Sequence, residues 1–118
     1  MLKPTQSSVD YGKELEKYIA QKFIEIGFEN ARRSNGSGNK GEAGDIAGQS
    51  LAVAECKHYN TKNITIKEDV WKKLNSEIPL HSTRIPMYFL QNGSDLRLAV
   101  MDVDDLFNLI EGLYNGKR

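Results

Sequence analysis

The sequence predicts a single α/β domain around a central mixed β-sheet flanked by helices, in the element order α-β-β-β-α-β-β-α. Three observations predict it. Apolar residues recur at three- and four-residue spacing in three separate segments, beginning near positions 10, 65 and 102. Between those segments lie short runs that either alternate apolar with polar or are apolar throughout, as strands do. The 118 residues, 39% apolar and 27% charged, suffice for one hydrophobic core, so residues 1–118 are expected to form one domain.

Residues 1–8 are polar, carry an early proline and read as a flexible arm. Ser8 or Asp10 is placed to cap the first helix. Leu15, Tyr18, Ile19, Phe23 and Ile26 make its apolar face, Gly27 supplies a left-handed C-terminal cap, and Phe28 can fold back onto the last turn. Glu16 lies at the border of the apolar stripe and can look into a cleft, whereas Glu14 and Glu25 are better placed for solvent. Residues 28–33 read as a short strand. Residues 34–44 hold Gly36, Gly38, Gly41 and Gly44 and form a loop. Asp45-Ile46-Ala47, a Gly48-Gln49-Ser50 turn and residues 51–54 predict a hairpin, and its second strand, apolar on both faces, is expected to be central. Strand alternation then puts Glu55 and Lys57 on one face and Cys56 on the other.

A polar linker, residues 58–63, leads to Thr65-Ile66-Lys67-Glu68, a capping box that predicts the start of the second helix. Val70, Trp71, Leu74 and Ile78 give that helix a buried face, and Pro79 stops it. Residues 86–90 form a strand, Asn92-Gly93 begins a turn, and Leu96, Leu98 and Val100 alternate with Arg97 and Ala99 in a further strand. Asp102 caps a last helix with Val103, Leu106, Phe107, Ile110 and Leu113 expected inward. Trp71 and the Tyr88-Phe89 pair are assigned to the core.

Composition excludes several classes. No apolar run approaches the ~20 residues of a membrane span, and no basic-apolar leader is visible, so a soluble, unsecreted protein without a membrane partner is expected. The one cysteine, Cys56, cannot form an internal disulfide and fits a reducing compartment. No Cys/His spacing suggests zinc, and no phosphate-binding motif of nucleotide enzymes is present, so no small-molecule cofactor is expected. Sixteen basic and sixteen acidic residues give no global field for nucleic acid. Residues 30–73 nevertheless hold eight basic against five acidic side chains, which permits one DNA-facing side.

The chemistry concentrates between Arg32 and Lys57. Asp45 and Glu55, at the ends of neighbouring predicted strands, offer two hard oxygen donors for a divalent cation such as Mg²⁺, with positions left for water and a phosphate. The Cys56 backbone carbonyl is a further candidate ligand, and Lys57 can orient or deprotonate the water and offset developing charge. Arg32 and Arg33 can grip phosphates bidentately, with Ser37, Asn39, Lys40 and the loop amides assisting. The bland alternatives are a turn aspartate with a solvated Glu–Lys pair, and two solvated strand-end arginines. His58 and His81 are assigned to loop or surface, and Lys72 and Lys73 to a solvated helix face.

The pattern resembles the PD-(D/E)xK nuclease superfamily, and within it the Holliday junction resolvases of archaea and phages. The resemblance runs from Gly12 to Lys57. It consists of a helix with Gly12-Lys13-Glu14-Leu15-Glu16, a Gly27-Phe28 end, Arg32/Arg33 leading into Gly36-Ser37-Gly38, Asp45-Ile46, and an apolar strand ending Glu55-Cys56-Lys57. Gly44 stands where the family's name has proline. The resemblance implies a restriction-endonuclease-like core, Asp45 and Glu55 as metal ligands, Lys57 as the catalytic lysine, and a helix carboxylate that joins the metal directly or through water. Glu16 is preferred for that acid over Glu14. It further implies Mg²⁺, replaceable by Mn²⁺, and products with 5′-phosphate and 3′-hydroxyl ends.

The expected activity is therefore structure-specific endodeoxyribonuclease action on four-way DNA junctions, in recombination and repair. Cutting two strands symmetrically needs two sites, so a homodimer is expected. The expected setting is cytoplasmic, at the nucleoid or in a phage-infected host. Two alternatives stay open: a nicking, restriction-like or repair endonuclease on duplex DNA, and a nucleic-acid-binding module without catalysis.

Overall fold

In the computed structural model, which describes residues 8–34 and 43–116, the elements follow the predicted order. Helix α1 (Ser8–Glu25) is followed by the short strands β1 (Arg32–Arg33) and β2 (Ile46–Ala47) and by the longer β3 (Ala52–His58). Helix α2 (Glu68–Ser76), β4 (Ile85–Gln91), β5 (Arg97–Val100) and α3 (Val103–Asn115) complete the chain. β3 and β4 are parallel, with Ala52 opposite Ile85 and His58 opposite Gln91. β5 pairs antiparallel with β4, which gives a mixed sheet in the order β3-β4-β5. β1 and β2 form a separate antiparallel pair.

The alternation of β3 feeds two apolar clusters. Ala52, Ala54 and Cys56 meet Leu15, Ile19, Ala20 and Phe23 of α1 on one face. Val53 meets Leu74 of α2 and Tyr88 and Leu90 of β4 on the other. The C-terminus of α1 is closed as its sequence predicts. Gly27 has φ +117°, its N–H donates to the Ile24 carbonyl, and the Phe28 N–H donates to the Phe23 carbonyl, both at 3.0 Å. This is a Schellman cap, and the Phe28 ring completes it by meeting the Phe23 ring edge-on.

Other expectations are corrected. Ser8 and Asp10 both lie within α1, and the rest of the predicted arm lies outside the described residues. Tyr18 and Ile26 are exposed, and Tyr11 and Ala20 take their places in the buried face. Residues 28–31 are turn rather than strand. The predicted hairpin does not form: Ile46 pairs with Arg33 and Ala47 with Arg32. The following turn is held by the buried Gln49, whose Nε2 donates to the carbonyls of Ile46 (3.0 Å) and Ala52 (2.8 Å) and whose Oε1 accepts the Ala52 N–H (2.8 Å). Gly48, at φ +76°, closes on Asn30 with no room for a Cβ. β3 is accordingly an edge of its sheet, although both its faces are largely buried.

The capping box at Thr65 is also unformed. α2 begins at Glu68, and its preceding residue Lys67 makes no side-chain cap. The linker is anchored ahead of that point: the Gly93 N–H donates to the Thr61 carbonyl, Asn92 Nδ2 donates to the Lys62 carbonyl, and Ile64 packs on the Val53–Tyr88 cluster. Tertiary anchoring here outweighs a local cap of about 1 kcal/mol. At α3 the cap is as expected, with Asp102 accepting from the Asp104 and Asp105 N–H groups. Its apolar face is not: Val103, Leu106, Phe107, Ile110 and Leu113 are all exposed. Among the described residues no helix is long and apolar enough to cross a membrane.

Candidate active site

The free edge of β3 exposes the Ala54 carbonyl and the Cys56 N–H, and Asp45 occupies it. The Asp45 N–H donates to the Ala54 carbonyl at 2.6 Å, and its Oδ2 accepts the Cys56 N–H at 2.7 Å. One residue thus satisfies two groups that a neighbouring strand would have paired. From the other side, the Ser34 N–H donates to the Asp45 carbonyl (2.9 Å) and the Ser34 hydroxyl to the Gly44 carbonyl (2.8 Å). Gly44 has φ +78°, and a Cβ there would lie 2.6 Å from the Ala54 oxygen and 2.8 Å from its nitrogen. Proline, fixed near −65°, cannot adopt this backbone, which accounts for glycine before the aspartate.

Burial pushes the Asp45 carboxyl up from 3.8 to about 7, against the lowering effect of the Cys56 hydrogen bond. The negative charges of Glu55 and Glu16 push it further, and Lys57 pulls it down. The Cys56 thiol is raised by burial, with Asp45, Glu16 and Glu55 adding to it, so it stays a neutral core group. Three carboxylates, from α1, the residue before β2, and β3, therefore act on one short stretch of β3. Two of them carry a cation: Arg33 Nε lies 2.8 Å from Glu16 Oε1, and Lys57 Nζ lies 3.4 Å from Glu55 Oε2. Among the described residues Asp45 makes no ion pair. Among the same residues no group of three or more His, Cys, Asp or Glu side chains is arranged to hold a metal ion.

The chain matches no family model, no curated protein and no solved structure. The site is therefore read from its own geometry. That geometry brings Asp45, Glu55 and Lys57 to the β3 edge and adds Glu16 through its field and its bridge to Arg33. Glu14 is exposed, and its charge acts on His58 instead. Arg32 is exposed and Arg33 half-buried against Glu16. Ser37, Asn39 and Lys40 lie outside the described residues.

Several neighbours escaped the sequence reading. Ser34 braces both Gly44 and Asp45. Tyr88, opposite Glu55 in the β3–β4 register, shares a hydrogen bond with the Tyr59 hydroxyl at 3.3 Å, and burial with that bond raises its phenol. His58 ends β3 rather than lying in a loop, and its ring lies against Tyr11, tilted by 34°, with centroids 4.9 Å apart. Burial lowers its pKa, opposed by the charges of Asp95 and Glu14. The signal for Tyr88 was available: the alternation that puts Glu55 on the α2 side puts the aromatic beside it there too. The Glu16–Arg33 bridge, across 17 positions, had none.

Proposed function

We propose that the chain is a metal-dependent endodeoxyribonuclease of the PD-(D/E)xK kind, acting on four-way DNA junctions, with Asp45, Glu55 and Lys57 as its catalytic set and Glu16 beside them. The observation that carries this reading is the placement of Asp45: a part-buried carboxylate, oriented by a peptide N–H, in the fields of two more acids and one strand position from a lysine pair. Burying acids together is unfavourable unless something cationic compensates, and such placements cluster at functional sites. The donors fit Mg²⁺, which takes one or two carboxylates and keeps its remaining positions for water and phosphate oxygens. Asp45, Glu55 and the Cys56 carbonyl would hold it, with Glu16 reaching it directly or through water, and Mn²⁺ would substitute.

When bound, the cation supplies an activated water and neutralises charge at phosphorus. The chain's own residues do the rest. Asp45 must lose its proton to serve, so proton and cation compete for it and the cation is held more tightly as pH rises toward 7. Glu55 holds the Lys57 ammonium at the strand end, where it can orient the water and offset charge on the phosphate as the phosphodiester bond breaks. Arg33 fixes the rotamer of Glu16. Arg32, with Ser37, Asn39 and Lys40, would meet backbone phosphates. The resemblance assigns 5′-phosphate and 3′-hydroxyl ends, and paired cuts across a junction call for a homodimer.

The test compares cleavage of a labelled four-way junction with a linear duplex of matching sequence, with Mg²⁺ and with chelator. Junction-selective, metal-dependent cutting is expected, abolished by Asp45→Asn and by Lys57→Ala while junction binding persists. If both variants cut like wild type, the assignment of the site fails. Equal cutting of both substrates favours a duplex nicking or repair enzyme, and junction binding without cutting favours a non-catalytic module.

A further inference from the structure

Helix α3 is amphipathic, yet no residue of it is buried. Val103, Leu106, Phe107, Leu109, Ile110, Leu113 and Tyr114 all count among the exposed large apolar side chains, with Phe107 at 60% and Leu113 and Tyr114 at 65%. At about 100° per residue these seven fall on one arc of roughly 160°. Together these residues expose roughly 700 Å², most of it apolar, against the ~300–600 Å² of the largest apolar patch on a typical monomer. The patch runs at the helix start into a mainly apolar groove of about 390 Å³, lined by Ile66, Trp71, Val100, Met101 and Val103 with the acids Glu68 and Asp102 at its margin.

We propose that the α3 face is a self-association surface, and that its occupant is α3 of a second copy of this chain. The open area is close to the ~800 Å² per partner of a stable interface. The charges select the partner. Asp104 and Glu111 are exposed and lie outside the apolar arc, Asp105 is half-buried at its margin, and the last turn has no basic residue. Two such helices can therefore meet face to face with their acids directed to solvent, in an isologous contact that uses the same patch twice. The same acids disfavour the alternatives, since a helix lying on anionic lipid, or against a phosphate backbone, carries lysines and arginines on its polar side. The inference stands whether or not Asp45 and Glu55 bind a cation.

Sedimentation equilibrium of the full chain tests it. Wild type is expected at twice the 13.3 kDa mass of one chain in the micromolar range. Phe107→Asp with Leu113→Asp should weaken association at least ~10-fold, as loss of central apolar anchors does. Because neither side chain is buried in one chain, thermal unfolding of the monomeric variant should remain cooperative, and Phe107→Leu should still dimerise. Ile110→Cys should form an intermolecular disulfide under mild oxidation, since Cys56 is buried. A wild type that stays monomeric overturns the proposal, as does a dimer untouched by the double substitution, or a monomer that sediments with phosphatidylglycerol vesicles. A monomer that still cuts DNA would overturn this surface and the paired-cut junction reading, and leave a metal-dependent nuclease acting on duplex DNA.

Discussion

The Cys56 backbone N–H donates to Asp45 Oδ2 at 2.7 Å, so a side-chain carboxylate stands where the next strand's carbonyl would be. The bond lowers the acid's pKa, but burial outweighs it and sets the group near 7. Its ordinary value is 3.8, so the native chain holds this proton more tightly than the unfolded one. The resulting stabilisation is complete below the ordinary value, is lost as pH rises through the window between 3.8 and about 7, and is absent above it. In chelator, wild type should therefore lose stability across that window while Asp45→Asn does not. Above it the variant should be more stable by about 1–3 kcal/mol. Thermal unfolding at a series of pH values checks this; parallel profiles for the two proteins would refute the raised pKa.

Divalent cation should narrow that gap. Above pH 7, Mg²⁺ at ten times its dissociation constant should stabilise wild type by about 1.4 kcal/mol and leave Asp45→Asn unmoved. Calorimetry with and without Mg²⁺ reads the difference. An equal response of both proteins would place the cation elsewhere.

Gly44 is expected to tolerate no side chain. Gly44→Ala combines a positive φ with a Cβ 2.6 Å from the Ala54 oxygen, and should cost about 2–4 kcal/mol in urea unfolding. Gly12, whose added Cβ meets nothing within 4 Å, is the control: Gly12→Ala, inside α1, should be neutral or slightly stabilising.

The Glu16–Arg33 bridge is part-buried at both ends, with side chains 21% and 33% exposed. A double-mutant cycle with Glu16→Gln and Arg33→Met should give a coupling of about 1 kcal/mol without metal. If Glu16 joins the cation, the coupling should shrink when Mg²⁺ is added. An unchanged coupling would make Glu16 a purely structural partner of Arg33.

What the sequence made legible was local. Gly27 with Phe28 dictated a Schellman cap because every participating group lies within six residues. Asp102 capped α3 for the same reason. Thr65 failed because the Thr61 and Lys62 carbonyls are held by Gly93 and Asn92, some thirty positions on, and Ile64 by the cluster of Val53, Leu74, Tyr88 and Leu90. The inward assignment of α3 failed differently: periodicity identifies which face is apolar and carries no information on what covers it. At the site, the residue types and the strand end were readable. Asp45 as a surrogate strand, and the latching of Arg33 onto Glu16, depend on how β2 turns back to β1 instead of β3, which no spacing encodes.

Gln49 has a consequence for how the pocket operates. The joint between β2 and β3, which begins three residues beyond Asp45, is tied by a carboxamide through three hydrogen bonds. A carboxamide neither gains nor loses a proton over the range in which Asp45 titrates. The hydrogen bonds that tie this joint are thus indifferent to whether Asp45 is protonated, ionised or paired with a cation.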